Sequence, residues 1–447
     1  MRQIRIKALK TLYPWAAAPS LFFALILAAP VIGAETQTVS LEEAYLMAIA
    51  THEAIKTAGE RVSQAESNVD KALSIVLPQI SLEGGYTRYN EQKASSSGIL
   101  TQPDDSSRLD VKLTQPLYMG GTAASARRQA RMVMQRSKEG VTAAREEVMQ
   151  GAASAYFGVL KAGKEAEIKK AALKRAHERG RVASTNFKAG MVTKSAVLRA
   201  EAETAAKEAD LIRAEAGLKD AENRLKRVIG VTGGIRTVLP GPQPVIPEDA
   251  DELLKTAYAR RLDYRQSVLD RNIAEESITY AKGNFLPRLR AEGQYSLKGQ
   301  NPKTTFFQED SVSASVILSY PIFEGGLRKA ELSESRSRLR EADIRRQGLK
   351  KDIEIEVREA LNAVESARAM TESYKKRLSF AEEDYKMVFE QFRFGLATTV
   401  DVIDADTELV SAESSLINST FDLQLAIIGL KYRIGVLSDD AGKGEER

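Results

Sequence analysis

Two stretches of the chain alternate apolar and polar residues with a period of two. Leu289, Ala291, Gly293, Tyr295 and Leu297 alternate with Arg290, Glu292, Gln294, Ser296 and Lys298. Val312, Ala314, Val316, Leu318, Tyr320 and Ile322 alternate with Ser311, Ser313, Ser315 and Ser319. A weaker pair lies upstream: Ile80, Leu82, Gly84 and Tyr86, then Leu109, Val111 and Leu113, each set interleaved with polar residues. The pattern predicts four strands in two hairpins, over residues 79–118 and 288–322, with polar loops at 90–107 and 300–310. Each strand is roughly ten residues, the length that crosses a bilayer when tilted. Apolar-out, polar-in alternation is the mark of a transmembrane barrel. A half-buried sheet in a water-soluble domain alternates in the same way. No remaining segment reads as a lid for such a sheet.

The intervening segments change to helical character. Residues 122–189 and 327–394 are each 68 long and free of Pro, and 191–229 and 396–434 are 39 each. At the helical rise these give lengths of roughly 100 Å and 58 Å. A further helix is predicted before each first strand, over 41–77 and 250–285. Two shorter helices laid end to end then match one long helix, as a uniform cylindrical wall requires. Residues 122–231 contain 25 Ala, and small side chains let helices pack closely side by side. Ala-rich helices also suit a long coiled coil, but sustained large apolar heptads are missing from 161–222. A wall around a wet interior accounts better for helices this polar.

The chain is one unit written twice. Gln115-Pro116-Leu117-Tyr118-Met119-Gly120-Gly121 resembles Tyr320-Pro321-Ile322-Phe323-Glu324-Gly325-Gly326, 205 positions on. The same offset pairs Phe187 with Phe392, Gly190 with Gly395, Thr193 with Thr398 and Gly230-Val231 with Gly435-Val436. Upstream, Leu77-Pro78 pairs with Leu286-Pro287 at 209. Repeats span 35–231 and 251–436, joined by a Gly- and Pro-rich linker, 232–250. Residues 437–447 read as a polar tail.

Residues 1–34 read as an export signal: a basic start, an apolar stretch, and small residues ahead of Glu35. Four basic residues in that segment account for the whole formal charge of +4, so the exported chain is near neutral. Nothing in the charge, or in the 6% aromatic content, points to nucleic acid. The chain has no Cys and two His (His52 and His177), which leaves no thiolate or imidazole metal site and no lipidated cysteine. No phosphate loop, zinc helix or nucleophile elbow is present. The expectation is no enzyme, no cofactor and no metal.

Four strands cannot close a barrel, because an edge-free span needs about eight or more. The missing strands must come from other copies, and three copies would supply twelve. The duplicated Phe-x-x-Gly-x-x-Thr, followed in the second half by Val400-Asp401-Val402-Ile403-Asp404-Ala405, resembles the TolC-type outer-membrane efflux proteins. So do the Leu-Pro strand starts and the strand exits Pro116, Gly120, Gly121 and Pro321, Gly325, Gly326. The resemblance covers about residues 39–436. It implies a homotrimer whose 12-stranded β-barrel in outer-membrane lipid continues into a 12-helix α-barrel through the periplasm. It implies turns at Gly190 and Gly395, capped by Thr193 and Thr398, that meet a periplasmic adaptor (membrane fusion) protein and, through it, an inner-membrane pump. It also implies an acidic constriction at Asp401 and Asp404. Thr398 and Asp401 equally form a capping box, which would occupy that acid locally. The basic and acidic tip residues of well-studied relatives fall here on Ala397 and Ala196. The reading is therefore a passive exit duct for efflux or type I secretion. A soluble periplasmic helical adaptor or scaffold is the competing class, and the strands argue against it.

Overall fold

The computed structural model describes residues 37–241, 249–304 and 307–442. The signal expected over 1–34 lies outside the described residues. The first half runs β1 (Gln37–Val39), α1 (Leu41–Thr51), α2 (Glu53–Ser74), β2 (Gln79–Arg88), β3 (Lys93–Ala94), β4 (Leu100–Gln102), β5 (Asp105–Tyr118), α3 (Thr122–Lys188) and α4 (Lys194–Ile229). After β6 (Ile235–Thr237) come α5 (Ala250–Arg260), α6 (Leu262–Gly283), β7 (Arg288–Asn301), β8 (Asp310–Ser319), α7 (Leu327–Arg393), α8 (Thr399–Arg433) and α9 (Asp439–Gly442). The duplication holds to the residue. Starts of α1, α2 and β2 recur 209 positions later in α5, α6 and β7, and starts of β5, α3 and α4 recur 205 later in β8, α7 and α8.

The sheet has the order β2-β5-β7-β8, all antiparallel. Its register stacks Leu82, Val111, Tyr295 and Val312 across one face, and this face is exposed. The other face is polar and tied across strands, with Lys112 Nζ 3.3 Å from Glu292 and the Ser296 hydroxyl donating to Asp110 at 2.5 Å. The edges of β2 and β8 are unpaired among the described residues. β8 stops at Ser319 rather than at 322, because Pro321 has no N–H for a ladder. β5 runs through Pro116 only with a register shift beside it. The strands end in paired left-handed glycines, Gly120 and Gly121 (φ 62° and 80°) and Gly325 and Gly326 (φ 60° and 89°), conformations costly for other residues.

Helices α3 and α4 form one antiparallel hairpin, and α7 and α8 another. Partway along α3, Val148, Ala152, Tyr156 and Phe157 form a core with Tyr45, Leu225 and Ile229. The second half repeats it with Ile353, Val357 and Leu361 against Leu254, Leu430 and Ile434. The αL residues Gly230 and Gly435 close α4 and α8 at this level. A Cβ on Gly230 would lie 2.8 Å from Thr51 Oγ1, and one on Gly435 2.9 Å from the Arg260–Arg261 backbone.

Several expectations are corrected. The single helices expected over 41–77 and 250–285 are each two, broken where His52 and Arg261 adopt extended backbone (ψ 132° and 127°). The linker expected over 232–250 opens with β6, which pairs in parallel with β1, and Tyr156 ties the two by donating to the Val39 carbonyl and accepting from Val238 N–H, both at 3.0 Å. The polar tail expected from 437 begins by docking: Leu437 is buried and Lys431 Nζ lies 2.7 Å from Asp440.

Candidate functional site at the helical turns

The α3–α4 and α7–α8 turns are the same device. Gly190 (φ 79°) donates to Phe187 O at 2.9 Å, and Met191 N–H to Asn186 O at 2.8 Å. Gly395 (φ 74°) donates to Phe392 O at 3.1 Å, and Leu396 N–H to Gln391 O at 2.9 Å. These bonds satisfy the last carbonyls of each long helix, and glycine supplies the left-handed residue they need. The next helices begin at Lys194 and Thr399, three residues later than the pattern suggested, because Thr193 and Thr398 sit at the cap with extended backbone. A Cβ on Gly395 would lie 2.9 Å from Met191 Cε, so the two turns touch.

The caps differ. Thr398 Oγ1 accepts from Asp401 N–H at 3.3 Å, and Asp401 accepts at 2.7 Å from both Thr398 N–H and its hydroxyl. Those donated bonds hold the Asp401 carboxyl below its usual range, the hydroxyl first and the backbone N–H second. Thr193 makes no such cap. The position matching Asp401 is filled by Ala196, which cannot return the bond, and Ala196 N–H goes to the Thr193 carbonyl at 3.1 Å. Asp404, one turn on from Asp401, is exposed and has no polar partner among the described residues. The duplicated phenylalanines also part company: Phe392 is 1% exposed, packed on Ala183, Ala200 and Val402, whereas Phe187 is 43% exposed.

Deeper in the hairpins lies a charge cluster that the sequence reading missed. Asp406 is fully buried on α8, with Arg175 Nε at 2.5 Å and Arg179 Nη2 at 3.2 Å from α3, and Lys207 Nζ at 3.9 Å from α4. Arg179, also fully buried, reaches Glu203 at 2.6 Å, and Arg175 reaches Glu413 at 3.4 Å. Burial works against the charge on both arginines, and the Asp406 carboxylate outweighs it only together with Glu413 at Arg175 and Glu203 at Arg179. Arg179 Nε and Nη1 have no partner among the described residues. One carboxylate thus joins three helices. The available signal was Arg175 and Arg179 four apart on an Ala-rich helix, facing acids more than 200 positions away. Among the described residues there is no grouping of His, Asp and Glu that could hold a metal ion, and no helix is long and apolar enough to cross a membrane. One face of the sheet is an exposed apolar surface, with Ile80, Leu82, Val312 and Val316 among its residues.

The sequence signature of the outer membrane efflux proteins matches the chain twice, over residues 44–231 and 253–436. The chain belongs to the outer membrane efflux protein family. The two matched segments coincide with its two repeats. Outer membrane protein TolC of Vibrio cholerae serotype O1 is 24% identical over 403 residues, covering 86% of this chain and 88% of TolC. The outer membrane efflux protein BepC of Brucella suis is 24% identical over 448 residues, covering 98% of this chain and 93% of BepC. Among solved structures, the Campylobacter jejuni CmeC outer membrane channel superposes with a TM-score of 0.76 at 18% identity, over 91% of this chain and 88% of CmeC. This efflux-family chain thus shares the fold of an outer-membrane channel. At its turns, Ala196 and Ala397 carry no charge, and the ion pairs that join α8 to α3 and α4 lie deeper, around Asp406.

Proposed function

We propose that the protein is the outer-membrane exit duct of a tripartite efflux or type I secretion system, acting as a passive homotrimer. One observation carries the reading. Among the described residues, a four-stranded sheet leaves its apolar face and both edges free, at the head of helical hairpins 67 residues long on the α3 and α7 sides. Three copies close twelve strands into a barrel whose apolar band meets outer-membrane lipid and whose cross-linked polar face lines water. The helices carry the duct into the periplasm. The loops at 90–107 and 300–310 then lie outside the cell. The turns at Gly190, Thr193, Gly395 and Thr398 present exposed Met191, Phe394 and Leu396, a surface suited to a periplasmic adaptor that connects to an inner-membrane pump. Asp401 and Asp404 share a helix face and form two stacked rings of carboxylate at the closed mouth. Capping does not remove Asp401 from that role, since it keeps the group ionised and exposed.

The test is extraction and conductance. The protein should require detergent, run as a trimer, and form cation-selective channels in planar bilayers. The double substitution Asp401→Asn with Asp404→Asn should lower that selectivity and weaken block by trivalent cations, with the trimer intact. A monomer soluble without detergent would overturn the duct. Unchanged selectivity and block with a less stable trimer would leave Asp401 as a cap only and place the constriction elsewhere.

A further inference from the structure

Towards the turns, the helices of a duct built from this chain meet along two kinds of seam. Inside the chain α3 lies against α8, and Asp406 is clamped there by Arg175 and Arg179. The 205 offset carries α3 onto α7 and relates α8 to α4, so a ring of copies that repeats the contact sets α7 against α4 of the next copy. The single chain leaves both of those faces uncovered. Met370, Phe380 and Met387 are exposed along α7. On α4, Leu198, Ala202, Ala205, Ala209 and Ile212 recur at steps of four and three, which places them on one helix face, and all are exposed. We infer that the periplasmic mouth opens along the seams between copies and not along the seam inside each. The helices α3, α4, α7 and α8 of one copy move as a unit, and α7 slides on the α4 helix of its neighbour. This rests on the homotrimeric duct proposed above and identifies which of its joints moves.

The two seams differ in chemistry at the matched positions of the charge cluster. Phe380 stands for Arg175, Asp384 for Arg179 and Ala412 for Lys207. Glu201 and Glu208 stand for Asp406 and Glu413. Every cation of the inner cluster is thus replaced, and the acids that face it are kept. The seam between copies has no matched cation to hold the partner's Glu201, and Asp384 adds a like charge beside it. What remains is an apolar contact of Met and Phe on Ala. Methionine adapts its shape readily, and such a contact has no directional bond to break on sliding. The inner seam is the opposite case. Parting α3 from α8 would strip the fully buried Asp406 of two arginines, and a buried charge left without its partner is strongly unfavourable. Apolar packing of Ile168 and Ala172 on Val410 continues that seam beyond the charges.

The test transplants the lock. Phe380→Arg with Asp384→Arg gives α7 the two arginines of α3, facing the partner's Glu201. Open-channel events of the purified trimer in planar bilayers should fall by about tenfold, the effect of one hydrogen bond between charged groups. Adding Glu201→Ala should restore them, because it removes the acid that the new arginines hold. Cross-links decide the same point should the arginines prevent assembly, and the chain has no Cys to interfere. Met370→Cys with Ala209→Cys spans the seam between copies. Glu165→Cys with Ser414→Cys spans the matched place inside the chain, where Ser414 donates to Glu165 at 3.1 Å. Bridged by a short bifunctional thiosulfonate, the first pair should give a covalent trimer that no longer opens, and the second should leave opening unchanged. A covalent trimer that still opens, an assembled trimer whose first pair does not bridge, or loss of opening with the inner pair bridged overturns the slip plane while the duct stands. A detergent-purified chain that is monomeric before any substitution overturns the duct itself.

Discussion

The two turns of one chain share a backbone and differ in charge. Gly190 and Gly395 make the same hydrogen bonds 205 positions apart. Where the second turn is followed by Asp401, Asp404 and Asp406, the first is followed by Ala196, Arg199 and Glu201. Asp406 is buried among arginines, and its counterpart Glu201 is exposed. A turn constrains the backbone strongly and the side chains weakly, so duplication preserved the glycine and left the acids to specialise. The α7–α8 turn carries the proposed mouth, and α3, deeper in the other hairpin, supplies the arginines that hold the neighbouring helix.

The largest effect separates Asp406 from Glu201. Asp406→Ala leaves the fully buried Arg179 with Glu203 and Arg175 with Glu413, and removing one partner of a buried pair costs up to about 3–5 kcal/mol. Glu201→Ala, at an exposed site, should stay within about 0.5 kcal/mol. Denaturation midpoints of the purified variants check both. Replacing Arg179 with Met and Asp406 with Leu together should recover part of the loss, because it removes the two fully buried charges while Arg175 keeps Glu413. Equal costs at Asp406 and Glu201 would erase the proposed specialisation.

What was legible in the sequence follows the same division. The repeat, the strand alternation and the turn glycines were readable, because each reflects a local backbone requirement that composition must meet. The breaks at His52 and Arg261 were not. Neither position holds Pro or Gly, and both breaks arise where α4 and α8 end against them, at Gly230 and Gly435. The strands Gln37–Val39 and Ile235–Thr237 are too short to show a period. The Asp406 cluster was hidden because a charged residue on a polar helix reads as solvated until its partners from other helices are known. At Asp401 the capping box was legible, and the structure contains it.

A middle-sized effect tests whether the turns are equivalent. Gly190→Val and Gly395→Val each force a branched residue into the left-handed region, at about 1–2 kcal/mol. The extra contact at Gly395 is with the end of Met191, a flexible side chain that can move aside, so the two costs should be similar. Both changes should cut efflux without reducing the amount of protein in the outer membrane. Intact transport in both variants would remove the turns from the docking surface. Loss in one alone would assign docking to that turn.

The smallest effect is the sharpest test of the difference between the turns, because it concerns two threonines at matched positions. Thr398→Ala removes a hydroxyl that bonds Asp401 in both directions and should cost about 1 kcal/mol, the ordinary worth of an N-cap. Thr193→Ala removes a hydroxyl with no cap bond and should cost almost nothing. Acidity separates them further. The Asp401 carboxyl is held below its ordinary value of 3.8 in the folded chain, so the unfolded chain binds the proton more readily. The cap's contribution is therefore complete above that ordinary value and fades as pH falls through the lower, folded one. The difference in stability between the wild-type chain and Thr398→Ala should shrink on acidification into that range, while that of Thr193→Ala stays flat. A pH-independent cost at Thr398 would mean that its hydroxyl acts through packing and not through the Asp401 carboxylate.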